Sequence, residues 1–258
     1  MPQIAANLGM LFTERPVLDR FGAAAAAGFR AVELLFPYDT PAPAVKAELD
    51  RHGLTMLGLN TSPGGPGDFG LGAMPGREQD FAAVFRQALD YALTIGARQI
   101  HCMAGVAPPE QRAAAETAFV QNLTAAADLA RPHGVTLLIE PINTRDRPNY
   151  VLTHVEQAAG IIARAGRDNI RIQFDCYHTQ IMGGDLIKRF EQHLPLIGHV
   201  QIAGVPARGE PDRGEVNYPE LLAAFDQLGY AGFVAAEYRP AGRTEDGLAW
   251  AKPYGIAV

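Results

Sequence analysis

Four short apolar runs in this 258-residue chain each end in, or contain, a residue whose side chain offers an oxygen ligand for a metal. These residues are Glu140, Asp175, Gln201 and Glu237. A carboxylate at the end of a buried apolar strand is costly unless a cation or a proton compensates its charge. The three carboxylates therefore need a common explanation, and a shared metal ion supplies one.

The spacing of these residues indicates how they come together. The successive intervals are 35, 26 and 36 residues, and a strand with its crossover helix takes about 30 residues. Each residue therefore belongs to a successive βα unit. In a closed barrel of such units, the carboxyl ends of the strands converge on one face and build the active site there. We expect a single site at that face.

The whole chain follows the same alternation of strand and helix. Apolar residues at three- and four-residue spacing, such as Phe81, Phe85 and Leu89, predict helices between the strands. Eight strands are predicted, at residues 4–8, 31–36, 55–60, 99–103, 136–140, 170–175, 197–202 and 233–237. A chain of this length suits one α/β barrel of about 250 residues. We expect residues 1–258 to form a single (β/α)8 TIM-barrel domain.

Charge and composition exclude several classes of partner. The formal net charge is −6, and the 22 lysines and arginines are scattered, so we expect no nucleic-acid partner. No apolar run is long enough to span a membrane, and the first residues do not look like a signal peptide. The two cysteines, Cys102 and Cys176, lie in apolar runs and suit a reducing compartment. We expect a cytoplasmic protein without a membrane partner, and a homo-oligomer stays open.

The donor atoms of the four residues favour a particular kind of metal. A lone acid at a strand end is more often a salt-bridged or capping residue than a ligand. Taken together, Glu140, Asp175, Gln201 and Glu237 offer only oxygen ligands. Such a set selects hard divalent ions, Mg²⁺ or Mn²⁺, over zinc. The sequence therefore predicts a divalent metal site.

Two further residues near these strand ends are candidates for binding substrate. His178 is predicted in the loop after Asp175, where it would orient a substrate oxygen or relay a proton; a metal ligand or a loop hydrogen bond is the alternative. Arg208 follows the seventh strand, and a guanidinium there would clamp a carboxylate, although a solvated loop arginine is equally compatible. A small anionic substrate fits both assignments.

A glycine-rich segment at residues 65–70 formally matches the G-x-G-x-x-G nucleotide-binding pattern. Pro66 removes a backbone donor that phosphate needs, and Asp68 adds repulsion, so the pattern does not indicate a nucleotide site. No other cofactor-binding motif is present. A long glycine-rich loop on the catalytic face of a barrel commonly covers the site. We interpret the segment as a lid.

Several motifs closely resemble the hydroxypyruvate isomerase family of xylose isomerase-like TIM barrels. They are residues 5–12 (AANLGMLF), 36–38 (FPY), 74–78 (MPGRE), 139–143 (IEPIN), 209–211 (GEP), 214–218 (GEVNY) and 237–238 (EY) with Pro240. The resemblance covers nearly the whole chain. Residues 101–106 (HCMAGV) also resemble a sister group that acts on 2-oxo-tetronate.

The resemblance implies a metal-assisted isomerase. Glu140 and Glu237 would be the proton-transferring pair, and Glu140, Asp175, Gln201 and Glu237 would surround the divalent ion. The expected reaction converts hydroxypyruvate to 2-hydroxy-3-oxopropanoate (tartronate semialdehyde) through an enediolate. A 2-oxo-tetronate isomerase is the main alternative. A ketose 3-epimerase-like enzyme, a DNA-repair endonuclease and a non-catalytic sugar-acid binding protein remain as rivals.

Overall fold

The computed structural model describes residues 2–256 and shows parallel strands that alternate with helices. The strands are β1 Gln3–Asn7, β2 Ala31–Glu33, β3 Thr55–Met56, β4 Gly58–Asn60, β5 Gln99–His101, β6 Thr136–Ile139, β7 Ile170–Asp175, β8 Ile197–Ile202 and β9 Phe233–Ala236. All eight predicted strands are present, and the third is divided in two at Leu57. Several strands end earlier than predicted, since the chain turns there into its loop.

The helices occupy the intervals between these strands. They are α1 Val17–Ala26, α2 Ala42–His52, α3 Glu78–Ile95, α4 Arg112–Ala130, α5 Val155–Ala165, α6 Cys176–Met182, α7 Leu186–His193 and α8 Tyr218–Gln227. A 3-10 helix, Glu245–Tyr254, follows the last strand. Within residues 2–256, none of the helices is both long enough and apolar enough to cross a membrane.

The sheet closes on itself at the divided strand. All strand pairs are parallel, in the order β3-β2-β1-β9-β8-β7-β6-β5-β4, so the two ends of this order are consecutive in the chain. Leu57 N donates to Val32 O at 2.9 Å, and Leu34 N donates to Gly58 O at 3.1 Å, so β2 is bonded to both halves. The result is an eight-position barrel, which confirms the predicted (β/α)8 TIM-barrel fold.

Helices pack on the outside of the barrel through buried apolar side chains. One cluster joins β7 to α7 and α8: the rings of Phe190 and Phe225 are stacked with centroids 3.7 Å apart, and Phe174 meets Phe190 edge to face at 5.4 Å. All three rings are fully buried. Aromatic pairs of this kind add to the stability gained from burial. This packing fixes β7, which carries the candidate ligand Asp175, against the outer helices.

Candidate active site at the carboxyl ends of the strands

The four sequence-predicted ligands meet at the carboxyl end of the barrel. Asp175 is the last residue of β7, Gln201 lies near the end of β8, and Glu140 and Glu237 directly follow β6 and β9. All four side chains are buried. Gln201 Nε2 donates to Glu237 Oε2 at 2.5 Å. The parallel register of the barrel therefore brings together residues that lie up to 97 positions apart in sequence.

A buried amide connects the two halves of this group. Gln173, two residues before Asp175, donates from Nε2 to Glu140 Oε2 at 2.9 Å and to Gln201 Oε1 at 2.8 Å. The amide oxygen of Gln201 is thus engaged by Gln173, while its nitrogen faces Glu237. In this arrangement Gln201 acts as a hydrogen-bond bridge, and its role as an oxygen ligand stays a prediction.

Two residues that the sequence analysis did not select complete the network. Glu33 accepts from Asn7 Nδ2 at 2.7 Å and from Gln201 Nε2 at 2.7 Å, and its other oxygen lies 2.6 Å from His199 Nε2. Asn7 also donates to Glu237 Oε2 at 2.9 Å. Asn7 and Glu33 are the last residues of β1 and β2. The predicted first two strands, residues 4–8 and 31–36, run past both residues, so the sequence did not mark them as strand ends.

Asp175 has two oxygens with different environments. Its Oδ1 accepts hydrogen bonds from the backbone of Tyr177 at 2.7 Å and of His178 at 3.2 Å, so it caps α6. This cap explains why His178 lies in a helix that starts directly after β7, whereas the sequence analysis placed it in a loop. Asp175 Oδ2 is buried without a hydrogen bond in the described part of the chain. Such an atom calls for a proton or a cation.

His178 turns one nitrogen towards the acids. Its Nδ1 lies 2.6 Å from Asn143 Nδ2 and accepts from Asn143 N at 3.3 Å. Its Nε2 lies 3.7 Å from Glu140 Oε1 and 3.6 Å from Asp175 Oδ2. Because Nδ1 accepts hydrogen bonds from Asn143, a neutral ring carries its proton on Nε2. The N–H then faces the space between the two carboxylates.

Arg208 brings a positive charge to the same acids. Its NH2 atom lies 2.5 Å from Glu237 Oε1 and 3.7 Å from Asp175 Oδ2, and its guanidinium lies 5.1 Å from the centre of the Tyr177 ring. Its backbone has φ 56°, the left-handed region, and Arg239 N binds its carbonyl at 2.7 Å. Such a conformation is unfavourable for a residue with a Cβ and is common at functional sites.

These residues open into a cavity of about 250 Å³. Its lining includes Glu140, His178, Arg208 and Glu237. Apolar and polar side chains form the remainder: Leu35, Phe36, Asn60, Phe69, His101, Met103, Ile142, Asp146, Arg147, Tyr150 and Arg239. The volume is slightly below the range of about 300–1,000 Å³ typical of drug-sized ligands. It suits a substrate of a few carbon atoms.

The predicted lid reaches this cavity through Phe69. Its ring lies 3.8 Å from the Arg147 guanidinium carbon, which closes part of the rim. After Phe69 the loop is held to the barrel, because Gly72 N and Ala73 N donate to Met103 O and Ala104 O. The predicted lid segment therefore contributes Phe69 to the cavity wall, and the loop after it is anchored; coverage of the site by the whole segment stays a prediction.

Burial and mutual repulsion shape the protonation of the acids. Burial, with the charges of Glu237 and Asp175, raises the pKa of Glu140 well above its usual value. Burial also raises the pKa of Asp175, and it raises the pKa of Glu237 to about 8 although Arg208 opposes this shift. Glu33 differs: burial acts to raise its pKa, but His199, Gln201 and Asn7 outweigh burial and lower it. The site therefore holds more acid than one arginine compensates.

Without a cation, the protein should lose stability as the pH rises. The pKa of Glu237 is about 8 in the folded chain and 4.5 ordinarily, so its contribution is complete below pH 4.5 and is lost as the pH rises through 8. Glu140 and Asp175 shift in the same direction. We expect the melting temperature of EDTA-treated protein to be roughly 5–10 °C lower at alkaline than at slightly acidic pH.

Thermal unfolding monitored by circular dichroism measures this difference. Mn²⁺ should remove most of it, because a cation replaces the protons, and Glu237→Gln should reduce it. A melting temperature that is equal or higher at alkaline pH would contradict the assignment of raised pKa values.

The donor atoms fit a divalent cation. One ligand atom each from Glu140, Asp175 and His178 can be chosen so that all three lie within 4.8 Å of one another, and all three residues are buried. Asp175 Oδ2, which accepts no hydrogen bond from the described residues, lies 3.6 Å from His178 Nε2. Carboxylate oxygens with one imidazole are compatible with Mn²⁺ and, through the oxygens, with Mg²⁺. His178 belongs to this group, but with its proton on Nε2 it cannot ligate a cation, so its role as a metal ligand, one of the alternatives from the sequence, stays a prediction.

The barrel fold and the acidic site at the carboxyl ends of its strands define a class of protein. The chain matches the family model described as xylose isomerase-like TIM barrel over residues 21–254. The protein therefore belongs to the xylose isomerase-like TIM barrel family.

Relatives of the chain indicate which members of this family it resembles most. The chain is 50% identical to the 2-oxo-tetronate isomerase of Cupriavidus necator, over 98% of this chain and 99% of that protein. It is 40% identical to the hydroxypyruvate isomerase of Escherichia coli, over 98% of this chain and 100% of that protein. These relatives confirm the resemblance to the hydroxypyruvate isomerase family with its sister group, and with it an isomerase enzyme.

A solved structure shows the same architecture. A crystal structure described as AP endonuclease, family 2, from Brucella melitensis has a TM-score of 0.97 and 47% sequence identity, and the match covers 99% of this chain and 100% of that chain. The barrel and its loops are thus shared over the full length of both chains.

Proposed function

We propose that this enzyme isomerises a small hydroxy-oxo acid, with hydroxypyruvate and 2-hydroxy-3-oxopropanoate as the reacting pair. One observation carries the proposal: two buried carboxylates, Glu140 and Glu237, line one small cavity together with the guanidinium of Arg208. Two acids at one substrate suit reversible proton transfer, and an arginine suits a substrate carboxylate. The relatives named above act, by name, on acids of this kind.

The proposal includes a divalent ion, Mg²⁺ or Mn²⁺. Glu140, Asp175, Gln201 and Glu237 would hold it, and the unpartnered Asp175 Oδ2 supports this set. When bound, the ion polarises the carbonyl and hydroxyl oxygens of the substrate and acidifies the C–H bond between them. Gln201 would have to turn its amide oxygen away from Gln173 to join the set.

The two glutamates carry out the proton transfer. One removes a proton from C3 of hydroxypyruvate, and the electrons of that bond form the enediolate as the C2 carbonyl becomes an oxyanion. The other glutamate delivers a proton to C2, and the proton of the C3 hydroxyl passes to the C2 oxyanion as the aldehyde forms at C3. The raised pKa values of Glu140 and Glu237 suit this exchange, because each can hold the proton it receives.

His178 and Arg208 support these steps. The His178 N–H between Glu140 and Asp175 is placed to bind a substrate oxygen and to exchange the hydroxyl proton. Arg208 binds the substrate carboxylate. Its ion pair with Glu237 fixes this binding group next to one of the two glutamates that transfer protons. We place this reaction in a reducing, cytoplasmic setting, which the two buried free cysteines support.

A second substrate has a specific observation in its favour. The relative at 50% identity is named for 2-oxo-tetronate, which is hydroxypyruvate lengthened by one hydroxymethyl carbon. The same transfer moves its carbonyl from C2 to C3. To accept the longer acid, a cavity needs to differ from one for hydroxypyruvate only at the end away from Arg208.

Product analysis tests the proposal. Purified protein with Mg²⁺ or Mn²⁺ is incubated with each acid. Proton NMR of the C–H signals then shows which carbon has become the carbonyl carbon. We expect the carbonyl to move to the neighbouring carbon, and EDTA to stop the reaction. Inversion at a carbon of a ketose without carbonyl movement would indicate an epimerase, and binding without turnover would indicate a sugar-acid binding protein.

Replacing the arginine should weaken binding of the acid. A charged hydrogen bond contributes about 1.5–3 kcal/mol, so we expect Arg208→Gln to lower kcat/KM by about 10- to 100-fold, mainly through KM. Steady-state kinetics measures the change. Arg243→Gln is the matched control, since the Arg243 side chain is 64% exposed and lies outside the cavity. An unchanged KM for Arg208→Gln would contradict the role of Arg208 as the carboxylate anchor.

A further inference from the structure

The wall of the cavity across from Arg208 contains an unexplained buried histidine. His101 is the last residue of β5, is 2% exposed and lines the cavity. Neither ring nitrogen has a hydrogen-bond partner in the described part of the chain. Its Nδ1 lies 3.4 Å from Glu140 Oε2 but makes no aligned bond to it. Leaving buried polar atoms unpaired is costly, so such atoms in a cavity indicate a missing partner.

A second polar side chain lies next to His101. Asn60 ends β4 and is paired in register with His101. Its side-chain amide makes no hydrogen bond to another of residues 2–256, although its backbone carbonyl accepts from Tyr38. Met103, Ile142 and Tyr150 line the same cavity. This wall therefore offers neutral hydrogen-bonding groups within an apolar surface.

The barrel places this wall opposite the anchor for the carboxylate. In the closed strand order, β5 lies four positions from β9, half of the way around the eight-position barrel. Arg208 follows β8 and contacts Glu237 after β9. An acid held by Arg208 thus directs its other end towards β4 and β5. Glu237, after β9, lies at the Arg208 end, and Glu140, after β6, lies at the His101 end, 3.4 Å from His101 Nδ1.

We propose that His101 binds the terminal hydroxyl group of a four-carbon 2-oxo acid and selects this substrate over the three-carbon acid. The inference rests on the proposed isomerase function and changes it in one respect, since it makes 2-oxo-tetronate, the second substrate named above, the preferred one. Hydroxypyruvate has no fourth carbon and leaves His101 unpaired, whereas the C4 hydroxyl both donates and accepts. A site built to bind a substrate hydroxyl discriminates strongly against an analogue that lacks it.

A bound water molecule is the competing explanation. A void of about 10 Å³ below the site touches His101, Glu33 and Gln173, and about 10–15 Å³ is the smallest space that holds one water. A water there would satisfy His101 equally with either acid. The two explanations therefore differ in the ratio of activities, not in the stability of the protein.

The test compares kcat/KM for 2-oxo-tetronate and for hydroxypyruvate in four proteins: the unchanged enzyme, His101→Leu, His101→Gln and Met103→Leu. We expect the unchanged enzyme to prefer the four-carbon acid. His101→Leu should lower kcat/KM for that acid by about 10- to 100-fold and for hydroxypyruvate by less than about threefold. His101→Gln should restore part of the preference. Met103→Leu, on the same wall without an unpaired polar atom, should keep the ratio.

The outcomes distinguish the role of His101 from the isomerase function itself. An equal loss for both acids in His101→Leu, or an unchanged enzyme that prefers hydroxypyruvate, overturns the role of His101 and leaves the isomerase standing. No turnover of either acid by the unchanged enzyme overturns the proposed function itself. Activity with hydroxypyruvate reports that a variant is folded. If His101→Leu does not fold, the Gln variant must show the partial loss of preference.

Discussion

Glu140→Gln and Glu237→Gln are each expected to lower kcat by about 10²–10⁴-fold, the usual contribution of a positioned acid or base. The amide keeps the shape and hydrogen-bonding capacity of the carboxyl group but cannot take up a proton. Because the proposed reaction removes a proton at one carbon and returns one at its neighbour, neither glutamate can replace the other. Steady-state kinetics with either acid measures the effect.

Stability measurements separate this loss from misfolding. Both glutamates are buried with raised pKa values, so a neutral amide removes repulsion from the cation-free protein. We expect the melting temperature of each variant, measured without a cation, to equal or exceed that of the unchanged protein. Glu116→Gln, in the second turn of the outer helix α4, is the matched control and should keep full activity. Near-normal turnover in either active-site variant would refute the proton-transferring pair.

Asp175→Asn should reduce the affinity for Mn²⁺ by about 10²-fold or more, because charge is a principal determinant of how tightly oxygen ligands hold a hard cation. The asparagine oxygen can still accept the bonds from Tyr177 N and His178 N, so the cap of α6 is kept. The variant therefore separates the two oxygens of Asp175: the capping function stays and the unpartnered charge is lost.

Isothermal titration of the EDTA-treated protein with Mn²⁺ measures the affinity, and circular dichroism checks that α6 and the barrel are intact. Asp128→Asn serves as the control, since Asp128 pairs with Arg167 on the outer surface of the barrel. Unchanged Mn²⁺ binding by Asp175→Asn would show that the cation, if it binds, does so elsewhere.

One physical reason explains why the barrel and the candidate acids could be predicted from the sequence. Parallel βα units bring strand ends together whatever their loops do, so Glu140, Asp175, Gln201 and Glu237 could be placed from their spacing alone. Asn7 and Glu33 could not be placed in this way, because the apolar runs at residues 4–8 and 31–36 continue past them, whereas the observed strands end at these residues.

Other features depend on contacts that spacing does not reveal. Gln173 belongs to the network because its side chain reaches Glu140 and Gln201 on both neighbouring strands. Asn143 fixes the ring of His178 across 35 residues of chain. The orientation of the Gln201 amide follows from Gln173 and Glu33 together. Such details are set by tertiary hydrogen bonds, and no local pattern encodes them.

The start of α6 shows how a site residue can also shape the backbone. A loop was predicted after Asp175, but the side chain of Asp175 caps a helix that begins at the next residue. The helix then holds His178 with its Nε2 towards the acids. The candidate ligand therefore also fixes the position of a candidate substrate-binding residue.

The most direct test of the central claim is the isotopic content of the product formed in D₂O. If Glu140 and Glu237 move protons at neighbouring carbons, the carbon that receives the proton should carry one solvent deuterium per turnover, observed by proton NMR and mass spectrometry against an enzyme-free control. Isomerised product that retains the substrate hydrogen would indicate transfer of a hydride between the carbons. That result would contradict the two-carboxylate mechanism even if the enzyme isomerises both acids.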